Sequence, residues 1–104
     1  MNEVEETKPK KVYISGPITG HELLGQRALF SETAKRLQSQ GYAVFNPLQN
    51  GLSPDAPYED HMKADLKQLL ECDYIFQLPN WRYSVGCCLE FHVAMATGIL
   101  PLNP

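Results

Sequence analysis

Apolar positions along the chain fall into two rhythms. Short runs rich in β-branched and aromatic residues occur at 11–15 (KVYIS), 42–45 (YAVF), 73–78 (DYIFQL) and 99–100 (IL). Each is closed by a turn-former: Gly16, Asn46-Pro47, Pro79 and Pro101. Such runs predict strands, and Pro101 suits a sheet edge. Between them the spacing becomes helical. Leu24, Ala28, Leu29, Ala34 and Leu37 predict a helix over 24–40, stopped by Gly41. Tyr58, Met62, Leu66, Leu69 and Leu70 predict one over 58–71. Val85 to Thr97 predicts the last, with Ser84 as its N-cap and Gly98 as its stop. Leu48 to Pro57, with Gly51, Pro54 and Pro57, reads as a loop, and so does Pro79 to Tyr83 (PNWRY).

Strands alternating with helices predict an α/β fold in which helices cover a parallel sheet. Right-handed crossovers leave few arrangements. The expected one is a flavodoxin-like, Rossmann-like three-layer sandwich with strand order 2-1-3-4. Ligands of such folds sit beyond the carboxyl ends of the strands, where the strand order reverses. Here that edge is formed by Gly16–Gly20 and Pro79–Tyr83.

Composition narrows the picture further. The chain has 104 residues, enough for one domain over 11–104 behind a polar, flexible tail, 1–10 (MNEVEETKPK). Hydrophobic residues at 43% and charged residues at 20% describe a globular chain. A net charge of −3 argues against a polymeric nucleic acid as partner. No apolar stretch reaches the length of a membrane span, and the charged N-terminus lacks the apolar run of a signal peptide. Three cysteines, with Cys87 and Cys88 adjacent and no CxxC, form neither a disulfide framework nor a zinc motif. A cytoplasmic protein without metal or cofactor is expected. A chain this short buries only about 65% of its unfolded surface and is marginal alone, so a homodimer or higher homo-oligomer is expected.

Two carboxylates stand out. Glu90 is the one acidic residue of an otherwise apolar helix (GCCLEFHVAMATG), so it either turns to water at the rim or is a buried functional group. The helix dipole and donors from the opposite loop would make burial tolerable. Asp65 falls off the apolar stripe of its helix, with His61 four residues earlier, which reads as a solvated i, i+4 pair. Yet both helices start at the ligand edge, and both acids lie about two turns in, so the two can converge on one crevice. Around them, Ser15, Gly16 and Pro17 belong to a glycine loop that permits close backbone approach or is a tight turn. Ser84 and Gly86 open the last helix as an anion seat or an ordinary cap. Trp81 and Tyr83 can stack on a planar base or bury themselves in an interface. Arg27 and Arg82 are isolated candidates for a phosphate. His21, His61 and His92 show no ligand spacing, and His92 reads as a core or interface residue. The cysteines read as small buried hydrophobes.

Tyr-Ile-Ser-Gly-Pro-Ile-Thr-Gly (13–20), Gly-Tyr-Ala-Val-Phe-Asn-Pro (41–47), Ala-Asp-Leu (64–66) with Cys-Asp-Tyr-Ile (72–75), and Ser-Val-Gly-Cys-Cys-Leu-Glu (84–90) occur in that order. Together they resemble the nucleoside 2-deoxyribosyltransferase-like superfamily over residues 11–100. The resemblance implies an enzyme that cleaves the N-glycosidic bond of 2′-deoxyribonucleosides or their 5′-phosphates. It implies Glu90 as the nucleophile at C1′, Asp65 as the acid that orients it or handles the proton, and Tyr13 as the residue that positions the carboxylate. Ser15, Gly16, Pro17, Asn46, Ser84, Gly86 and Trp81 would bind substrate. The transferases commonly carry Asp where this chain has Ser84, whereas the 2′-deoxynucleoside 5′-phosphate N-hydrolases carry Ser there, within the phosphate seat. That departure favours the hydrolase. In the transferases a neighbouring subunit completes the site through its C-terminus, an element expected to be absent or rebuilt in this chain. The alternatives are a non-catalytic nucleotide-binding module and an oligomeric scaffold.

Overall fold

A computed structural model describes residues 8–18 and 23–102. Its elements run β1 (Lys11–Ser15), α1 (Leu23–Ser39), β2 (Ala43–Phe45), α2 (Tyr58–Leu69), β3 (Tyr74–Gln77), α3 (Val85–Ala96) and β4 (Leu100–Pro101). The strands form one sheet of order β2-β1-β3-β4, parallel at every pairing. Tyr13 lies opposite Phe45 on one side and Ile75 on the other, and Ser15 lies opposite Gln77. The expected α/β fold and strand order are those observed. Two short 3-10 turns, Pro47–Gln49 and Trp81–Tyr83, add structure to the segments expected as loops. Predicted Thr19, Gly20 and His21 lie outside the described residues, as does most of the 1–10 tail.

The alternation of β1 builds the layers. Val12 and Ile14 point to one face, where they pack with Phe30 and Leu37 of α1 and with Phe76 and Leu78. Tyr13 points to the other, with Leu69 of α2, Ile75, and Ala94 of α3. Burying both faces is what an all-parallel sheet requires. The chain leaves β1 by passing close over β3. A Cβ on Gly16 would stand 2.6 Å from Leu78 Cδ1 and 3.0 Å from Phe30 Cζ. Packing within the fold is thus a sufficient reason for this glycine. Gly41, at φ +97°, ends α1 in the left-handed region. Ser84 caps α3 as expected, its Oγ accepting the Cys87 N–H at 3.2 Å.

Several faces differ from the periodic reading. Leu24 (71% exposed) and Ala28 lie outside, and Phe30, Thr33 and Leu37 fill the inner face of α1. A single helical turn offers neighbouring stripes, and the one through Phe30, fully buried against Val12, Ile14, Phe76 and Leu78, is the one that faces the sheet. On α2, Tyr58 and Leu70 are exposed, while Leu69 and Asp65 are buried. His92 is exposed rather than in the core, in edge contact with Phe91. Cys72 and Cys87 are buried and Cys88 is half-buried, all as free thiols. None of the described helices is long and apolar enough to cross a membrane.

Candidate active site

The side of the sheet covered by α2 and α3 has a polar interior. Glu90, on the second turn of α3, is buried (6% exposed) over the end of β1. Tyr13 Oη donates to its Oε2 at 2.6 Å, and Ser15 Oγ donates to its Oε1 at 2.6 Å. The two donors are alternate residues of one strand, which points both at the same helix. They come from the strand beneath, not from the opposite loop. Both carboxylate oxygens are therefore held, so the group has one plane and little rotational freedom. Tyr13 is itself fixed by stacking on Phe45, with ring centroids 5.5 Å apart.

Burial pushes Glu90 up to about 7; the Ser15 and Tyr13 hydroxyls pull it down, and the charge of Asp65 adds to the rise. Among the described residues no cation offsets the desolvation. Near neutrality the carboxylate is thus divided between acid and anion. Burial first, then the Glu90 and Asp65 charges, drive the Tyr13 phenol far above its ordinary range, so it remains a donor at every physiological pH. Burial also raises the Cys87 thiol, which sits against the Ser84 and Ser15 hydroxyls and stays uncharged.

Asp65 is buried too, 8% exposed, on the same side of the sheet. Burial raises its carboxyl above the usual range; a hydrogen bond from Asn50 opposes the rise, and so does His61 whenever its imidazole carries a charge. The i, i+4 partnership expected with His61 is replaced by a shared one. Asn50 Nδ2 lies 3.0 Å from His61 Nδ1 and 3.0 Å from Asp65 Oδ1. No hydrogen bond joins Asp65 to Glu90; they interact through their charges. Asn50 was missed in the sequence because its partners lie 11 and 15 residues away. The available signal was the Asn-Gly pair at 50–51 inside a loop that has to return to α2.

The remaining candidates divide. Ser84 serves as a cap, and its hydroxyl hydrogen remains able to donate. The N–H groups of Val85 and Gly86 have no hydrogen-bond acceptor among the described residues, as the first turn of a helix provides. A Cβ on Gly86 would meet Met62 Cε and Tyr58 Oη at 3.1 Å each, so this glycine lets α2 and α3 approach. Pro17 is buried, its carbonyl accepting from Gln26 Nε2. Asn46 uses its Oδ1 to accept the Leu48 N–H at 3.0 Å and caps the 3-10 turn. Trp81 packs on Phe91 at 5.0 Å, with the Arg82 guanidinium over its ring at 5.1 Å. It lines a cavity of about 380 Å³ with Gln77, Arg82 and Phe91, whose walls include neither carboxylate. Among the described residues no group of three His, Cys, Asp or Glu side chains is arranged to hold a metal ion.

A parallel α/β domain with a carboxylate clamped by two strand hydroxyls at the switch point defines the class of protein. Within that class, residues 10–101 match the family described as Domain of unknown function (DUF4406), and the chain belongs to that family. No curated protein matches the chain. Among solved structures it is similar to a crystal structure of a conserved protein from Enterococcus faecalis V583, with a TM-score of 0.69 and 24% identity. The match covers 89% of this chain and 61% of that one. This likeness is one of fold.

Proposed function

We propose that this protein cleaves the N-glycosidic bond of 2′-deoxyribonucleosides or their 5′-phosphates, with Glu90 at the sugar C1′. The observation that carries the reading is the buried Glu90 held by Tyr13 and Ser15 at 2.6 Å each. Breaking the bond leaves positive charge on C1′. A fixed, desolvated carboxylate stabilises that charge or adds to C1′ as a glycosyl-enzyme. Glu90 does this in its ionised form. Asp65, whose carboxyl burial pushes above the usual range, gives a proton to the departing base as the bond's electron pair moves onto the base nitrogen. Water then bonds to C1′ and gives its proton to the Asp65 carboxylate, and where Glu90 had added, the C1′–Glu90 bond breaks with its electron pair returning to the carboxylate; a second base in place of water makes the enzyme a transferase. The Ser84 hydroxyl and the free N–H groups opening α3 suit a 5′-phosphate. The free thiols suit the reducing cytosol.

The test is incubation with deoxynucleosides and deoxynucleoside 5′-phosphates, followed by chromatography for free base. Base release is expected, with Glu90→Ala slower by roughly a thousandfold or more. Release by the variant at the parent rate rejects the mechanism. No release, together with a nucleotide-induced rise in Tm, turns the reading to a binding module.

A companion reading is self-association. Tyr83 (88%), Val85 (85%), Leu89 (43%) and Met95 (39%) leave the outer side of α3 and its approach apolar and exposed. Sedimentation equilibrium is expected to show a homodimer or larger, and a monomer at high concentration would reject it.

A further inference from the structure

The amide of Asn50 is fully committed. Its Oδ1 accepts the Leu52 N–H at 3.0 Å, which settles which end of the amide is oxygen. Nδ2 is then the donor to both His61 Nδ1 and Asp65 Oδ1. His61 Nε2 lies 3.0 Å from the Ser53 carbonyl, which only accepts. The imidazole hydrogen is therefore on Nε2, and Nδ1 presents a lone pair to Asn50. Each partner in this run, from Leu52 through Asn50 and His61 to Ser53, has one assignable role. The remaining amide hydrogen points at Asp65.

In a neutral carboxyl group the carbonyl oxygen is the better acceptor, so an oxygen already receiving a hydrogen bond is where the proton does not sit. Oδ2 of Asp65 has no hydrogen-bond partner among the described residues. We propose that Asn50 is a positioning residue, braced by neutral His61, which fixes Asp65 Oδ1 as the accepting oxygen and leaves Oδ2 to carry the exchangeable proton. The proposal rests on the glycosidase reading only for the destination of that proton. The groups facing Asp65 are Asn50 from the loop, His61 from α2, Tyr13 from β1 and Glu90 from α3. Among these, Asn50 alone donates a hydrogen bond to it.

Two substitutions separate the role from mere folding. Asn50→Ala removes the donor. Asn50→Asp keeps the size and the oxygen that accepts from Leu52, so the turn is retained, but it sets a carboxylate where the donor was. The measurement is a carbon-13 NMR titration of side-chain carboxyls in the intact chain, with the Asp65 signal assigned by Asp65→Asn. The Asp65 midpoint is expected to rise by about one pH unit in Asn50→Ala, a tenfold tighter proton, and further in Asn50→Asp. Nitrogen NMR of His61 in the parent is expected to show the Nε2–H tautomer above pH 8. In the base-release assay the alkaline limb is expected to move upward with the Asp65 midpoint, with kcat falling more than KM changes.

An unmoved Asp65 midpoint in both folded variants, or an Nδ1–H tautomer, overturns the proposal even if base is released. A shifted midpoint in a protein that releases no base upholds the hydrogen-bond assignment and removes the glycosidase reading instead.

Discussion

The two faces of the sheet are built from one strand and do opposite things. On the α1 side, Val12 and Ile14 meet Phe30, Leu37, Phe76 and Leu78, an apolar interior with no charged group buried in it among the described residues. On the other side, Tyr13 and Ser15 meet Glu90 at the same depth. Burial of carbon stabilises by about 25 cal/mol per Å², and the first face gains it throughout. The second gains it only lower down, at Leu69, Ile75 and Ala94, and then spends the top of the sheet on a desolvated acid. Stability concentrated on one side is what lets the other hold a group that opposes folding.

Phe30→Ala tests the apolar side and has the largest expected effect on stability. Phe30 is fully buried, so its truncation should lower unfolding free energy by about 3–5 kcal/mol in urea titrations. Base release per folded molecule should be unchanged. A loss under 1 kcal/mol would mean that the core does not sit where the contrast places it.

Glu90→Gln tests the polar side with the opposite sign. A carboxyl raised from 4.5 to about 7 binds its proton more tightly in the folded state. The folded form is therefore favoured below about pH 4.5, loses that advantage as pH rises to about 7, and carries the full cost above it. The neutral amide avoids the cost. Glu90→Gln should be more stable than the parent by about 1–3 kcal/mol at pH 8 and no more stable at pH 4. Equal stability at pH 8 would erase the contrast.

Ser84→Ala refines the edge between the two functions. Loss of the cap should cost about 1 kcal/mol in the same titrations. If the seat binds phosphate, KM should rise for deoxynucleoside 5′-phosphates and not for deoxynucleosides. An equal rise for both would leave Ser84 a cap and nothing more.

How far this contrast was legible in the sequence follows from the range of the interactions. Strand order and helix positions are carried by local patterns that an α/β chain repeats, so β1, β2, β3 and the cap of α3 were readable. The apolar helix around Glu90 left rim and interior both open, and the structure places it inside. The burial of Asp65 was not legible: its own helix places it beside, not within, the leucine stripe, and the Asn50 that bonds it comes from a loop 15 residues away. For the same reason Trp81 looked free to stack on a ligand, because nothing local shows that Phe91, ten residues on, takes its face. Gly16 is the reverse case, a residue open to reading as a ligand loop or as a tight turn, for which the nearness of Leu78 is already a sufficient reason.

The bond from Tyr13 to Glu90 spans 77 positions in the chain. Joining its two ends closes a loop that contains α1, β2, α2 and β3, and loops of that span close slowly. A nascent or partly unfolded chain therefore lacks this clamp on Glu90, however much helix it has formed. Recovery of activity on refolding should lag behind recovery of helical signal, and that interval would time the docking of α3 onto β1.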